Sequence, residues 1–145
     1  MSYLKIFISV DLEGVGGIVS PEHTRIEGKE HERARHLMTG EVNAAINGIL
    51  EACKPKNIVV NDSHATMCNI IPEELHETAE LIMGSPKPLA MMEGIDESFD
   101  AAFFIGYHAM NLGLVSLPRV LLFLFSTAGS LIEESRRKGS RVSRN

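Results

Sequence analysis

The sequence predicts an α/β fold, layered around a largely parallel sheet. Three observations carry that prediction. Four short apolar runs within residues 4–105 read as buried strands. One long segment between the first two runs has helical periodicity. The side chains able to bind metal ions gather where the runs end, in Ser9-Val10-Asp11-Leu12-Glu13-Gly14, Asn61-Asp62-Ser63-His64 and Gly106-Tyr107-His108. Ligands bind beyond the carboxyl ends of strands in sheets of this kind.

The elements follow in order. Residues 4–10 are apolar and rich in β-branched side chains, which makes them the first strand. Gly14, Gly16 and Gly17 then mark a loop. Across residues 30–53, Ala34, Leu37, Met38, Val42, Ala45, Ile46, Ile49 and Leu50 recur at three- and four-residue steps, so one helix is expected there, stopped before Pro55. Gly40 and Gly48 weaken that helix slightly. Residues 57–61 form a short buried strand, and residues 72–76 suggest a helical turn with Pro72 at its start. Residues 79–83 are a third strand ended by Gly84, residues 85–88 a rigid loop, and residues 101–105 a fourth strand ended by Gly106.

Composition narrows the function. The 145 residues suffice for one domain with a sizeable core, and 44% apolar with 23% charged residues is the balance of a soluble globular protein. A net charge of −5 removes the electrostatic case for nucleic acid. No apolar run approaches the roughly 18–20 residues that span a bilayer, so no membrane partner is expected. The first residues lead straight into a strand pattern, so no signal peptide is expected either. Cys53 and Cys68 match no zinc-ribbon or redox spacing and read as reduced, core-filling thiols of a cytoplasmic protein. Met67, Met83, Met91 and Met92 read as core or pocket lining, and His23, His31, His36 and His76 as surface residues.

The remaining acids and imidazoles carry the chemistry. Asp11 and Glu13 are two apart, and on an extended chain such residues face the same side. Adjacent carboxylates repel, so one stays protonated unless a cation neutralises the pair. The alternative is that one is a solvated acid at a strand end. His64 and His108 close phrases that follow two other strands, and imidazoles together with carboxylates suit zinc, and also manganese or cobalt. Asp11, Glu13, His64 and His108 are therefore the candidate metal ligands. Asp62 is placed either to orient an imidazole or to cap the following turn. The glycines at 14, 16 and 17 do not complete a dinucleotide fingerprint, because Val19 stands where the third glycine is needed. Asp11 and Glu13 would also set negative charge beside a pyrophosphate.

Character changes near residue 110. Before residue 111 lie all six histidines, 17 of the 19 acids and 8 of the 14 basic residues. Residues 111–145 hold two acids, Glu133 and Glu134, against six basic residues, and end in a Ser- and Arg-rich stretch that reads as a disordered basic tail. The division expected is therefore residues 1–110 as one unit and 111–145 as an atypical tail. Two readings of the tail stand: a docking strand and helix before a loose terminus, or a frameshifted stretch.

Five phrases in one order resemble the zinc-dependent D-aminopeptidases of the bacterial dipeptide-transport-operon type. They are Ser-Val-Asp-Leu-Glu-Gly (9–14), Glu-Arg-Ala-Arg-His-Leu-Met-Thr-Gly-Glu-Val-Asn-Ala (32–44), Val-Asn-Asp-Ser-His (60–64), Lys-Pro-Leu-Ala-Met-Met-Glu-Gly-Ile-Asp (87–96) and Phe-Ile-Gly-Tyr-His-Ala (104–109). The resemblance covers about residues 3–110 and implies an α/β fold truncated relative to the family. It also implies two zinc ions per site, ring-shaped homo-oligomers, and cleavage of N-terminal D-residues such as D-Ala from short peptides. By motif, Asp11 would bridge the two zincs, with Glu13, His64 and His108 as further ligands. The family pattern has a nucleophilic histidine in a Ser-His context soon after Gly-Tyr-His, where this chain has Leu117. For a final glutamate ligand it offers only Glu133 or Glu134. The catalytic residue is thus unassigned, and two alternatives remain: a catalytically silent fragment that binds metal or only assembles, and another metal-dependent hydrolase.

Overall fold

β1 (Lys5–Val10) lies at the centre of a five-stranded sheet in the computed structural model, which describes residues 4–108 and 121–125. The order is β3 (Ala79–Ile82), β2 (Asn57–Asp62), β1, β4 (Ala101–Ile105), β5 (Leu121–Phe125), and every neighbouring pair is parallel. The α/β fold with a parallel sheet is thus present. Val10 pairs with Asp62 on one side and with Ile105 on the other. The chain therefore leaves all three inner strands at one level.

The three inner strands, β2, β1 and β4, are almost wholly buried because both faces are covered, as parallel sheets require. Alternate residues serve alternate faces. Ile6, Ile8, Val10, Ile58 and Val60 pack with Met38, Val42 and Ile46 of the long helix α2 (His31–Ala52). Phe7, Val59, Ala102 and Phe104 pack on the other face with Met91, Met92, Ile95 and Phe99. The rings of Phe7 and Phe99 meet edge to face at 5.7 Å. Right-handed crossovers account for the two layers. The connection from β1 to β2 steps one way across the sheet, and the return from β3 to β4 steps the other way, so they cover opposite faces.

Helix α2 buries Ala34, Met38, Thr39, Val42, Ile46 and Ile49, one stripe at three- and four-residue steps. It stops at Cys53, whose backbone is already extended two residues before Pro55. An apolar groove of about 460 Å³ lies beside it against β4, lined among the described residues by Ala45, Gly48, Ile49, Phe103 and Ile105.

The helical turn expected over residues 72–76 is present: the amides of Glu74 and Leu75 both donate to the Ile71 carbonyl, at 3.0 and 3.1 Å. Asn43 ties it to α2, accepting from the His76 amide at 2.8 Å and donating to the Glu74 carbonyl at 2.7 Å. Other expectations need correction. A four-residue helix, α1 (Pro21–Thr24), and a 3₁₀ turn at Ala90–Met92 were not anticipated, being too short to show a period. Cys68 is exposed rather than core-filling, and Met83 is 39% exposed. His23 is buried rather than on the surface, with its Nδ1 2.9 Å from Ser20 Oγ and its carbonyl 3.0 Å from His31 Nδ1. The expected division falls between residues 1–110 and 111–145. Within the second stretch, β5 belongs to the sheet, while Leu117, Glu133 and Glu134 lie outside the described residues. No described helix is long and apolar enough to cross a membrane.

Two substitutions in α2 are expected to act in opposite directions. Ile46 is fully buried, so Ile46→Ala should cost about 2–5 kcal/mol. Gly40 is exposed with nothing within 4 Å of an added Cβ, so Gly40→Ala should stabilise by about 0.5–1 kcal/mol. Urea unfolding of the two variants measures both.

Candidate metal centre

The four candidate ligands come from the three level strand ends. Asp11 follows β1 directly, His64 lies two residues past β2, and His108 three past β4. The exits are stitched by main-chain bonds: Asp11 N–H to Ile105 O at 2.9 Å, Ser63 N–H to Val10 O at 2.9 Å, and Gly14 N–H to Gly106 O at 2.7 Å. Gly106 permits this approach. Its φ is +70°, and a Cβ there would sit 2.1 Å from the Asp11 carbonyl oxygen.

The Asp11 carboxylate lies between the two imidazoles. Its Oδ1 is 3.1 Å from His64 Nδ1, and its Oδ2 is 3.8 Å from His108 Nε2. Glu13 Oε2 also meets His64 Nδ1, at 3.0 Å. Asp11, Glu13 and His108 offer ligand atoms within 4.8 Å of one another. The side chains of Asp11 and His64 are 5% and 6% exposed, whereas those of Glu13 and His108 are 36% and 40% exposed, so the site opens to solvent on one side.

Charge and burial oppose each other here. Burial pushes Asp11 up, against the hydrogen bond from His64. Burial also works against ionised Glu13, but hydrogen bonds from His64 and Asp11 prevail and pull it down to about 2. Burial disfavours the His64 imidazolium, yet hydrogen bonds to Asp11, Glu13 and the Thr24 carbonyl raise it to about 10. A positive charge is therefore stabilised between the two carboxylates. His64 Nε2 is held at 2.9 Å by the Thr24 carbonyl at the end of α1, which leaves Nδ1 as the nitrogen aimed at the acids. A metal-ligating histidine is commonly anchored in this way through its other nitrogen. Asp11, Glu13 and His108 are the side chains whose ligand atoms converge, a set that fits a divalent cation of the zinc type, and His64 meets both carboxylates beside them.

Surrounding groups hold this arrangement. Asp62 is fully buried and accepts from the main-chain amides of Ile70 at 2.7 Å and His64 at 3.3 Å, and from Asn69 Nδ2 at 3.0 Å. It clamps the loop that carries His64, as the capping reading anticipated. Glu41 of α2 accepts from the Gly16 amide at 2.9 Å, tying the glycine loop after Glu13 to the helix. Lys87 donates from Nζ to Asn61 Oδ1 at 2.8 Å and Ile82 O at 3.1 Å, and also to Asp62 O, fastening its loop across the ends of β2 and β3. Burial lowers its pKa, and the nearby charge of Asp62 works against that.

Sequence reasoning missed one cluster. The Tyr107 hydroxyl is 2.5 Å from Ser9 Oγ and also meets Ser63 Oγ. Each member lies one or two residues from a candidate ligand, and that adjacency was the available signal. Burial pushes Tyr107 up to about 12, against hydrogen bonds to Ser63 and Ser9 that favour the phenolate. The folded state thus holds this proton above the ordinary value near 10. The stabilisation is complete below pH 10 and is lost as pH rises through about 12. Tyrosinate absorbance should show one of the two tyrosines titrating only near pH 12, a step that Tyr107→Phe removes. A titration without that late step would contradict the burial account.

Residues 4–114 match the sequence model of the peptidase M55 family, described as D-aminopeptidase. A D-aminopeptidase of Bacillus subtilis strain 168 is 41% identical over 109 residues, covering 73% of this chain and 38% of the relative. A solved structure, the Zn-dependent D-aminopeptidase DppA from Bacillus subtilis, described as a self-compartmentalizing protease, superposes with a TM-score of 0.71 at 40% identity. That match again covers 73% of this chain and 38% of that one, so the chain spans well under half the length of the proteins it matches. With five motif phrases in order, a parallel sheet and a matching family model over residues 4–114, the chain belongs to the peptidase M55 D-aminopeptidase family.

Proposed function

We propose that Asp11, Glu13, His64 and His108 hold zinc at a dinuclear centre, and that this centre serves hydrolysis of N-terminal D-residues, such as D-Ala, from short peptides. The observation that carries the reading is the Asp11 carboxylate, with one oxygen facing each imidazole. That is the disposition a bridging carboxylate needs. The zinc dependence and D-aminopeptidase activity of the Bacillus subtilis relatives support the choice of metal and substrate class.

Bound zinc supplies a Lewis acid for a scissile carbonyl and acidifies water. The chain's own residues do the rest. Asp11 and His64, buried and anchored, fix the closed side of the site. Glu13 and His108 border the open side, which a peptide reaches from solvent. The self-compartmentalizing description of DppA supports a homo-oligomeric ring, and a cytoplasmic location belongs to the same reading. The division into residues 1–110 and an atypical 111–145 belongs to the same reading, with β5 of the second stretch pairing on β4 and the family match running to residue 114.

A second reading, metal binding without turnover, is favoured by Leu117 at the position where the family pattern has a histidine. Elemental analysis after chelation and reloading should find zinc in the unsubstituted chain and a loss of at least one equivalent in Asp11→Ala. Unchanged metal content in Asp11→Ala would reject the site. Release of D-Ala from D-Ala-D-Ala, with L-Ala-L-Ala as control, should follow zinc loading. Stoichiometric zinc with no release would establish the second reading.

A further inference from the structure

We infer that the Tyr107 hydroxyl is a positioning group that sets the spacing of the three strand ends carrying the metal ligands. The inference rests on the metal reading above and deepens it. Ser9 lies two residues before Asp11, Ser63 immediately before His64, and Tyr107 immediately before His108. The three hydroxyls meet at one point: Tyr107 Oη is 2.5 Å from Ser9 Oγ and in contact with Ser63 Oγ, and the two serine oxygens are 3.3 Å apart. Each ligand-bearing segment is thereby tied to the other two through side chains, in addition to the main-chain bonds.

Counting protons identifies the tyrosine as the link. Ser9 donates to the Met91 carbonyl at 2.6 Å, and Ser63 donates to the Val10 carbonyl at 2.8 Å. Carbonyls only accept, so both serine protons are committed. The Tyr107 proton is the one that remains, and it joins both serine oxygens as a shared, three-centre donor. Met91 also draws the segment around the 3₁₀ turn into the same junction.

The ring and the hydroxyl have separable roles. The ring is 3% exposed, packs edge to face on Phe104 at 5.4 Å, and belongs to the apolar cluster of Phe7, Val59 and Phe99. Removing the hydroxyl leaves that packing intact. It also leaves both serine protons on their carbonyl acceptors, so no buried donor is orphaned. Tyr107→Phe therefore tests the tether rather than the core.

The test is cobalt binding to the chelator-treated chain, followed by equilibrium titration and the visible absorption of bound Co²⁺. Tyr107→Phe should bind Co²⁺ about 10-fold or more weakly, the scale seen when groups supporting a ligand are removed. Its absorption bands should shift, while its thermal midpoint in chelator stays close to that of the unsubstituted chain. Wild-type affinity and bands in Tyr107→Phe would overturn the inference. If Tyr107→Phe does not fold, Ser9→Ala decides: weaker binding with shifted bands supports the tether, and unchanged binding overturns it. Absence of cobalt binding in the unsubstituted chain overturns the metal reading and this inference together. That outcome is distinct from normal binding in both proteins, which overturns the tether alone.

Discussion

The register of β1 against its two neighbours is the constraint on which the rest depends. Because Val10 pairs with Asp62 and with Ile105 at once, three chain exits stand side by side at the same height. A slip of one residue in either ladder would turn every side chain of that strand to the other face. It would also move one exit away from the other two. The apolar residues that hold the register, such as Ile8 and Val60 on one face and Phe7 and Val59 on the other, thus place Asp11, His64 and His108. In a doubly covered parallel sheet, both faces resist a slip together. The site inherits its precision from the core.

Much of this architecture was legible in the chain. The inner strands announced themselves as short apolar runs because each is buried on both faces. α2 announced itself through one stripe of Ala34, Met38, Val42, Ile46 and Ile49. The four candidate ligands were visible because acids and imidazoles are costly near buried strand ends, so their presence there calls for a reason. What stayed hidden depends on partners distant in sequence. Asn43 fastens the turn at residues 72–76 to α2 from 31 and 33 positions away. The Thr24 carbonyl that anchors His64 is a main-chain group, which no residue letter reveals. Ser9, Ser63 and Tyr107 are unremarkable polar residues until the register sets them together.

Electrostatics and packing divide the labour at this site. Desolvation alone would favour neutral groups throughout; it prevails at Asp11, whereas Glu13 and His64 offset it through their hydrogen bonds within the cluster. The imidazole is pinned on its far side by Thr24, and the loop beyond it is clamped by Asp62. Such anchoring removes side-chain freedom before any ligand arrives, so less ordering remains to oppose binding.

The close passage of Gly106 beneath Asp11 has a consequence for ion size. With no room even for a methyl group between the two backbones, the exits of β1 and β4 cannot draw closer together. In the proposed metal centre a smaller cation could not be accommodated by drawing those exits together, and Asp11 and His64 are buried. Adjustment falls to rotation of Glu13 and His108, the two side chains with solvent around them. In the proposed metal centre, adjustment to ions of different radius would therefore fall to the open rim, while the buried floor keeps one fixed gauge.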